Sequence, residues 1–141
     1  MTQEEEKDLL LKDLCTRLPY GVRYRHFTWN DEFGEIYIAA RIYSINTDGY
    51  VKNCYDDETV YIDNVRPYLF PLSSMTEEQK KEYNMLLTDI PTYEYEGGDI
   101  VTVIESYDNW RSIDYLTANH FDYRGLIPMG LAIDATGLNI Y

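Results

Sequence analysis

Residues 22–45 read VRYRHFTWNDEFGEIYIAARIYSI, and this stretch decides the fold class. Both halves are rich in β-branched and aromatic residues, which are enriched in strands. Asn30, Asp31 and Gly34 separate the halves with the composition of a turn. The pattern therefore predicts two strands, at 22–29 and 35–45, joined by a tight connection.

Two more strand-like segments follow at 50–54 and 59–63, separated by turn residues at 46–49 and 56–58. Short strands joined by tight turns are typical of an antiparallel meander. The length of this region predicts a small curled sheet or an SH3-like barrel. Its extended exit at residues 65–71 contains two prolines, which disfavour helix in the residue before each.

Helical patterns flank this β region, 22–70. Residues 1–21 begin with a capping box, Thr2 and Glu5, and end at Pro19 and Gly21. The predicted buried stripe of this helix is Leu10, Leu11, Leu14, Cys15 and Leu18. In that position the Cys15 thiol is expected to be inert core packing.

The remaining region, 74–141, combines helical and strand signals. Thr76 and Gln79 predict the start of a helix that runs to about residue 88. A hairpin is expected at 92–105 about Gly97-Gly98, followed by a helix near Trp110. The helix from Thr76 is expected to bury Tyr83, Leu86 and Leu87. The apolar tail is expected to place four residues in the core: Leu126, Ile127, Leu131 and Ile133.

The totals indicate one α+β domain, 1–141, with about three helices. The longest apolar runs are far shorter than the roughly 20 residues of a membrane-spanning helix. The acidic start of the chain does not resemble a secretory signal. Cys15 and Cys54 have no metal-binding spacing, so we expect two reduced thiols in a cytoplasmic protein without a membrane contact.

Charge and tyrosine content indicate a binding role. The net charge is −13, and residues 82–122 contain nine acidic residues and one basic residue. Such a surface repels nucleic acid, so the expected partner is another protein. The chain also has 15 tyrosines, a residue type common in binding surfaces. The predicted partner-binding residues are Tyr93, Glu94, Tyr95, Glu96, Asp99 and Tyr107.

Catalytic patterns are weak. His26 and His120 are the two histidines, and no nucleophile motif or phosphate-binding loop accompanies them. We therefore expect no catalytic residues, no metal site and no cofactor. A small-ligand site is the alternative, formed by Tyr123, Arg124 and His120, because arginine and tyrosine together can bind a nucleotide. Against it, Arg124 is expected to form an internal salt bridge with an acid such as Asp114 or Asp122.

Three stretches carry a resemblance, at residues 10–22, 65–83 and 112–132. They are LLKDLCTRLPYGV, VRPYLFPLSSMTEEQKKEY and SIDYLTANHFDYRGLIPMGLA. Together they resemble a family of short hypothetical proteins from gut bacteria of the Bacteroides group and their prophages. The resemblance implies a cytoplasmic setting and allows a phage or mobile-element origin, and it carries over no catalytic residue.

Three functions stay open from the sequence. The first is a non-enzymatic module that binds a host protein on behalf of a phage or mobile element. The second is an acidic mimic of nucleic acid that inhibits a DNA-binding or defence enzyme. The third is a protein that sequesters a small ligand such as a nucleotide messenger. A carboxylate ridge would favour the second, and a deep aromatic pocket with a basic residue would favour the third.

Overall fold

The computed structural model describes residues 1–56, 58–88, 92–96, 99–103 and 108–141. Between residues 87 and 109 it describes the backbone of those ranges and not the side chains. Within the described ranges, no helix is both long enough and apolar enough to cross a membrane.

Four antiparallel strands form the main sheet in the order β1-β2-β3-β4. They are β1 Arg23–Asn30, β2 Gly34–Ile45, β3 Tyr50–Asn53 and β4 Thr59–Tyr61. The first half of β2 pairs with β1 alone, and β3 joins it from Ile42 onward. A register shift between Ile42 and Ser44 accompanies the curl of the sheet into a half-barrel. The predicted α+β class and barrel-like meander are confirmed.

Helix α1, Gln3–Arg17, begins with the predicted capping box. The Thr2 hydroxyl accepts a hydrogen bond from the Glu5 amide at 3.1 Å, and the Glu5 carboxylate accepts one from the Thr2 amide at 3.3 Å. A short 3-10 turn follows, and Gly21 ends it with a φ of 75°. That left-handed conformation suits glycine, so the local sequence specifies both ends of the helix.

The buried face of α1 differs from the predicted stripe. Cys15 is exposed, and Leu11 and Leu18 are half-buried, so the expectation of an inert core thiol at Cys15 is wrong. The buried residues are Leu10, Asp13, Leu14 and Arg17. Asp13 and Arg17 form an ion pair on this buried face, whereas Cys15 lies on the exposed side of the helix.

The second half adds two helices and five strands to the described part of the chain. They are β5 Tyr68–Pro71, α2 Glu77–Thr88, β6 Thr92–Glu96, β7 Asp99–Val103, α3 Asp108–Ala118, β8 Phe121–Asp122 and β9 Ile133–Asp134. Strand β5 pairs in parallel with β8 on one side and β9 on the other. Strands β6 and β7 pair antiparallel, as the hairpin prediction required, while its Gly97-Gly98 turn lies outside the described residues.

The start of α2 follows the prediction, whereas four residues predicted to be buried in α2 and the tail are half-buried. Thr76 and Gln79 form the second capping box, while Tyr83 and Leu86 are half-buried and the Leu87 side chain lies outside the described residues. In the tail, Leu126 and Leu131 are buried as predicted, and Ala132 and Ala135 join them. Ile127 and Ile133 are half-buried, and Ile127 packs against the margin of the core. Strand β9 is also the edge of its small sheet, which leaves one side of Ile133 open.

Candidate functional site

The β1–β2 hairpin extends beyond the sheet as a two-stranded arm. We call residues 27–37 the hairpin arm. Its ladder pairs Phe27 with Tyr37 and Trp29 with Glu35. In the described ranges β3 contacts β2 only from Ile42 onward, so the arm has no third strand beside it. A two-stranded ribbon has few residues to cover its faces, and its side chains are therefore available to a partner.

The connection at the tip of the arm is shaped by its own sequence. The Asn30 side-chain oxygen accepts hydrogen bonds from the amides of Glu32 and Phe33, at 2.8 and 3.0 Å. Gly34 follows with a φ of 76°. This compact turn holds Phe33 outward, where 72% of its surface is exposed.

Exposed aromatic rings line one face of the arm and the adjoining sheet. Because side chains alternate along a strand, Phe27 and Trp29 share a face of β1, and Tyr37 lies on the same face of β2. Their rings are in contact, with the centroids of Phe27 and Tyr37 5.3 Å apart. The exposed aromatic residues of this region are Phe27, Trp29, Phe33, Tyr37 and Tyr43. Five exposed aromatic side chains within one hairpin are unusual for a side of a protein that stays in water.

Three arginines accompany these rings near the base of the arm. The Arg25 guanidinium lies 3.8 Å from the centroid of the Tyr37 ring, a cation–π contact. Arg23 and Arg41 are paired across β1 and β2 on the same face. The region is thus locally basic in a chain of net charge −13. Asp31 and Glu32 at the tip make the opposite end acidic. We call this surface, arm and arginines together, the aromatic–arginine face.

A groove of about 370 Å³ borders the same face on the side of β3. Arg23, Ala39, Arg41 and Tyr55 are among its lining residues. The Arg23 guanidinium donates a hydrogen bond to the Ala39 carbonyl at 3.0 Å, which holds its charge at the edge of the groove. A side chain inserted there would meet an apolar floor with a positive rim.

For the predicted partner-binding residues of the second half, the structure describes mainly the backbone. The backbone register pairs Tyr93 with Thr102 and Glu94 with Val101, and Glu96 with Asp99. Their side chains, and that of Tyr95, lie outside the described residues, as does Tyr107 altogether. The acidic half is described on α2 and α3, where the Tyr115 hydroxyl donates to the Glu82 carboxylate at 2.8 Å. Burial and this hydrogen bond raise the pKa of Tyr115 to about 12.

Arg124 and Tyr123 of the alternative ligand site make contacts with other residues of the protein. Arg124 forms the expected internal salt bridge, but its partner is Asp13, at 2.8 Å, and neither Asp114 nor Asp122. Asp122 instead accepts two backbone hydrogen bonds from residues 126 and 127, because the chain turns sharply around it. The Tyr123 ring contacts the guanidinium groups of both Arg17 and Arg124, at 5.0 and 4.9 Å from its centroid.

The third residue of that alternative, His120, has a different neighbour. Its ring stacks on Tyr141, with centroids 3.5 Å apart, and lines a groove of about 460 Å³ together with Phe70 and Asn119. Burial, together with the charges of Arg17 and Arg23, lowers the pKa of His120 to about 4. The imidazole is therefore neutral near pH 7, and it does not act as a cation for an anionic ligand.

One cluster of polar side chains was not anticipated. His26 lies 2.9 Å from Asp56 and 3.6 Å from Glu58, measured from its Nε2 atom to a carboxylate oxygen of each. The sequence carries a faint signal for it, since strand alternation puts His26 on the inward face with Tyr24. Nothing local indicates that the turn carrying Asp56 and Glu58 folds back to that face.

Comparison with known proteins found no matching family model, no matching curated protein and no matching solved structure. The resemblance drawn from the sequence therefore stays a prediction. A functional proposal has to come from the chain's own side chains, and the aromatic–arginine face brings together five exposed aromatic residues and three arginines.

Proposed function

We propose that this protein is a non-enzymatic binding module that docks another protein on its aromatic–arginine face. The observation that carries the proposal is the set of exposed rings beside three arginines on the β1–β2 hairpin. Tryptophan, tyrosine and arginine are the residue types that dominate the binding energy of protein interfaces. Their rings add large contact areas and lose little side-chain entropy when they are buried.

The arm indicates the chemistry of the partner. Its apolar rings suit a cleft on the partner, and the arginines at its base suit acidic residues at the rim of that cleft. The acids at the tip, Asp31 and Glu32, disfavour a second acidic group there. We therefore expect a partner with an apolar cleft that is acidic on one side.

Charge favours a protein over a nucleic acid. Stacked rings and arginines can also bind single-stranded nucleic acid. A net charge of −13 opposes this, because the phosphate backbone would be repelled by most of the surface. Binding of single-stranded oligonucleotides in moderate salt would contradict the proposal.

A matched pair of tryptophan variants tests the proposal. Trp29 lies on the arm and is 67% exposed, while Trp110 lies on α3 and is 59% exposed. Trp29→Ala and Trp110→Ala therefore remove the same side chain from two sites of similar exposure. Proteins captured from a lysate of the source organism are identified with each variant as bait, and the affinity of any specific partner is then measured.

We expect Trp110→Ala to keep the partner and Trp29→Ala to weaken it by roughly 30-fold, the loss typical of a central interface residue. Equal retention by the two variants would refute the aromatic–arginine face as the binding site. A third variant, with Glu94, Glu96 and Asp99 changed to amides, tests the acidic hairpin predicted from the sequence. Loss of the partner in this variant alone would move the interface to β6 and β7.

A further inference from the structure

The side chains of His26, Asp56 and Glu58 converge from β1 and from the connection between β3 and β4. One ligand atom from each lies within 4.8 Å of the other two. The His26 side chain is 2% exposed, Asp56 is 24% exposed and Glu58 is 65% exposed. The cluster thus has a rigid inner end and an open outer end.

A second layer of hydrogen bonds orients the inner ligands. The Nδ1 atom of His26 lies 3.1 Å from the Tyr24 hydroxyl, which also accepts a hydrogen bond from the Asn53 amide at 2.8 Å. The Asn53 amide and the Glu58 backbone amide both donate to Oδ1 of Asp56. Oδ2 of Asp56 is left to face the imidazole, so the second layer selects which carboxylate oxygen points into the cluster.

The charges of the cluster do not balance within it. The Nε2 atom of His26 carries at most one proton, while two carboxylates approach that atom. One proton cannot satisfy both carboxylates at once. A divalent cation between the three groups would neutralise them together and replace the shared proton.

The spacing of the ligand atoms suits such a cation. Metal–ligand bonds of about 2.1 Å place neighbouring ligand atoms about 3.0 Å apart in octahedral geometry and about 3.4 Å apart in tetrahedral geometry. The distances from Nε2 are 2.9 and 3.6 Å. Both distances from Nε2 are close to these values, and all three ligand atoms lie within 4.8 Å of one another.

We propose that His26, Asp56 and Glu58 form a binding site for a divalent first-row transition-metal ion such as Zn²⁺ or Mn²⁺. One imidazole nitrogen and two carboxylate oxygens make a mixed ligand set, which suits these ions better than the all-oxygen ions Ca²⁺ and Mg²⁺. On binding, Nε2 gives its lone pair to the metal, and the imidazole proton lies on Nδ1 and is donated to the Tyr24 hydroxyl oxygen. His26 and Glu58 also line a groove of about 360 Å³, where water or an anionic group completes the coordination.

The test uses full-length protein without a histidine tag, after chelator treatment. Because Cys15 and Cys54 are exposed thiols that can bind zinc, both are changed to serine in every sample. Binding of Zn²⁺ and of Mn²⁺ is measured by calorimetry, and the melting temperature is recorded with and without each ion. Glu58→Gln removes one ligand at an exposed position, so it should leave the fold intact, and Glu35→Gln is the matched control on the exposed side of β2.

We expect one equivalent of at least one ion to bind and to raise the melting temperature. Glu58→Gln should weaken that binding by about tenfold or more, while Glu35→Gln should leave it unchanged. Asp56→Asn gives a second ligand variant with the same expected loss. Dissociation constants weaker than about 1 mM for both ions would overturn the site, as would equal binding by Glu58→Gln and Glu35→Gln.

Discussion

Removing the charge of the buried Asp13 carboxylate should strongly lower the free energy of unfolding. Its Oδ2 atom accepts a hydrogen bond from Arg17 at 2.7 Å, and its Oδ1 atom accepts one from Arg124 at 2.8 Å. The side chains of Asp13 and Arg17 have no exposed surface, and that of Arg124 is 23% exposed. One carboxylate thus joins α1 to the tail. Asp13→Asn keeps the shape of the side chain and removes its charge.

The expected magnitude follows from the partner left behind. Arg17 cannot lose its proton, so the variant buries a guanidinium without its counter-charge, although the hydrogen bond to the Phe121 carbonyl, at 2.7 Å, is kept. Breaking a buried ion pair by removing one partner costs about 3–5 kcal/mol. A domain of this size has a free energy of unfolding of about 5–15 kcal/mol, so the variant should lose about a fifth or more of its stability. At about 3 °C per kcal/mol, the melting temperature should fall by about 10–15 °C.

Urea unfolding followed by tyrosine and tryptophan fluorescence measures the change. Asp8→Asn is the control, because Asp8 lies on the same helix and is exposed. We expect Asp8→Asn to stay within about 0.5 kcal/mol of the wild type. A loss below about 1 kcal/mol for Asp13→Asn would refute this reasoning, since it would mean that water or a rearranged side chain compensates Arg17.

Three further outcomes can be measured in the same way. The unfolded chain takes up a proton that folded His120, with its pKa of about 4, does not. Stability should therefore fall as the pH drops from about 6.5 to about 4, by roughly 1–2 kcal/mol because the half-buried imidazole is partly screened by solvent. His120→Asn should flatten that slope in urea titrations, since asparagine tolerates the φ of 63° and does not titrate, and parallel slopes would contradict the assignment. Deleting residues 125–141 removes buried Leu126 and Leu131, so the truncated protein should aggregate or melt far lower, and a truncated protein of unchanged melting temperature would disprove the structural role of the tail. Tyr24→Phe should cost about 1–3 kcal/mol in urea unfolding because the Asn53 amide loses its acceptor, and a neutral effect would show that water replaces the hydroxyl.

Local chemistry made much of the fold readable in advance. The capping boxes at Thr2 and at Thr76 each depend on residues three positions apart, so the sequence specifies where both helices begin. The four strands of the main sheet fall within two residues of their predicted bounds, because β-branched runs and turn residues are local signals. The extended exit at 65–71 follows from its prolines in the same way.

Only part of the candidate site could be predicted from the sequence. Strand alternation shows that Phe27 and Trp29 share one face of β1 and that Tyr24 and His26 share the other. It does not show which face meets solvent. That choice depends on α1 and the tail, which pack against Tyr24 and leave the aromatic rings outside.

The placement of the buried charged and polar residues depends on contacts between residues that are far apart in the sequence. Cys15 was expected in the core because it lies among leucines, yet the buried face contains Arg17, whose guanidinium reaches a carbonyl 104 residues away. Arg124 was expected to pair nearby and instead crosses 111 residues to Asp13. His26 meets Asp56 only because a turn 30 residues later folds back beside β1. Residue type and period are local properties and can be read along the chain, whereas a buried charge is placed by whichever partner the completed fold brings within reach.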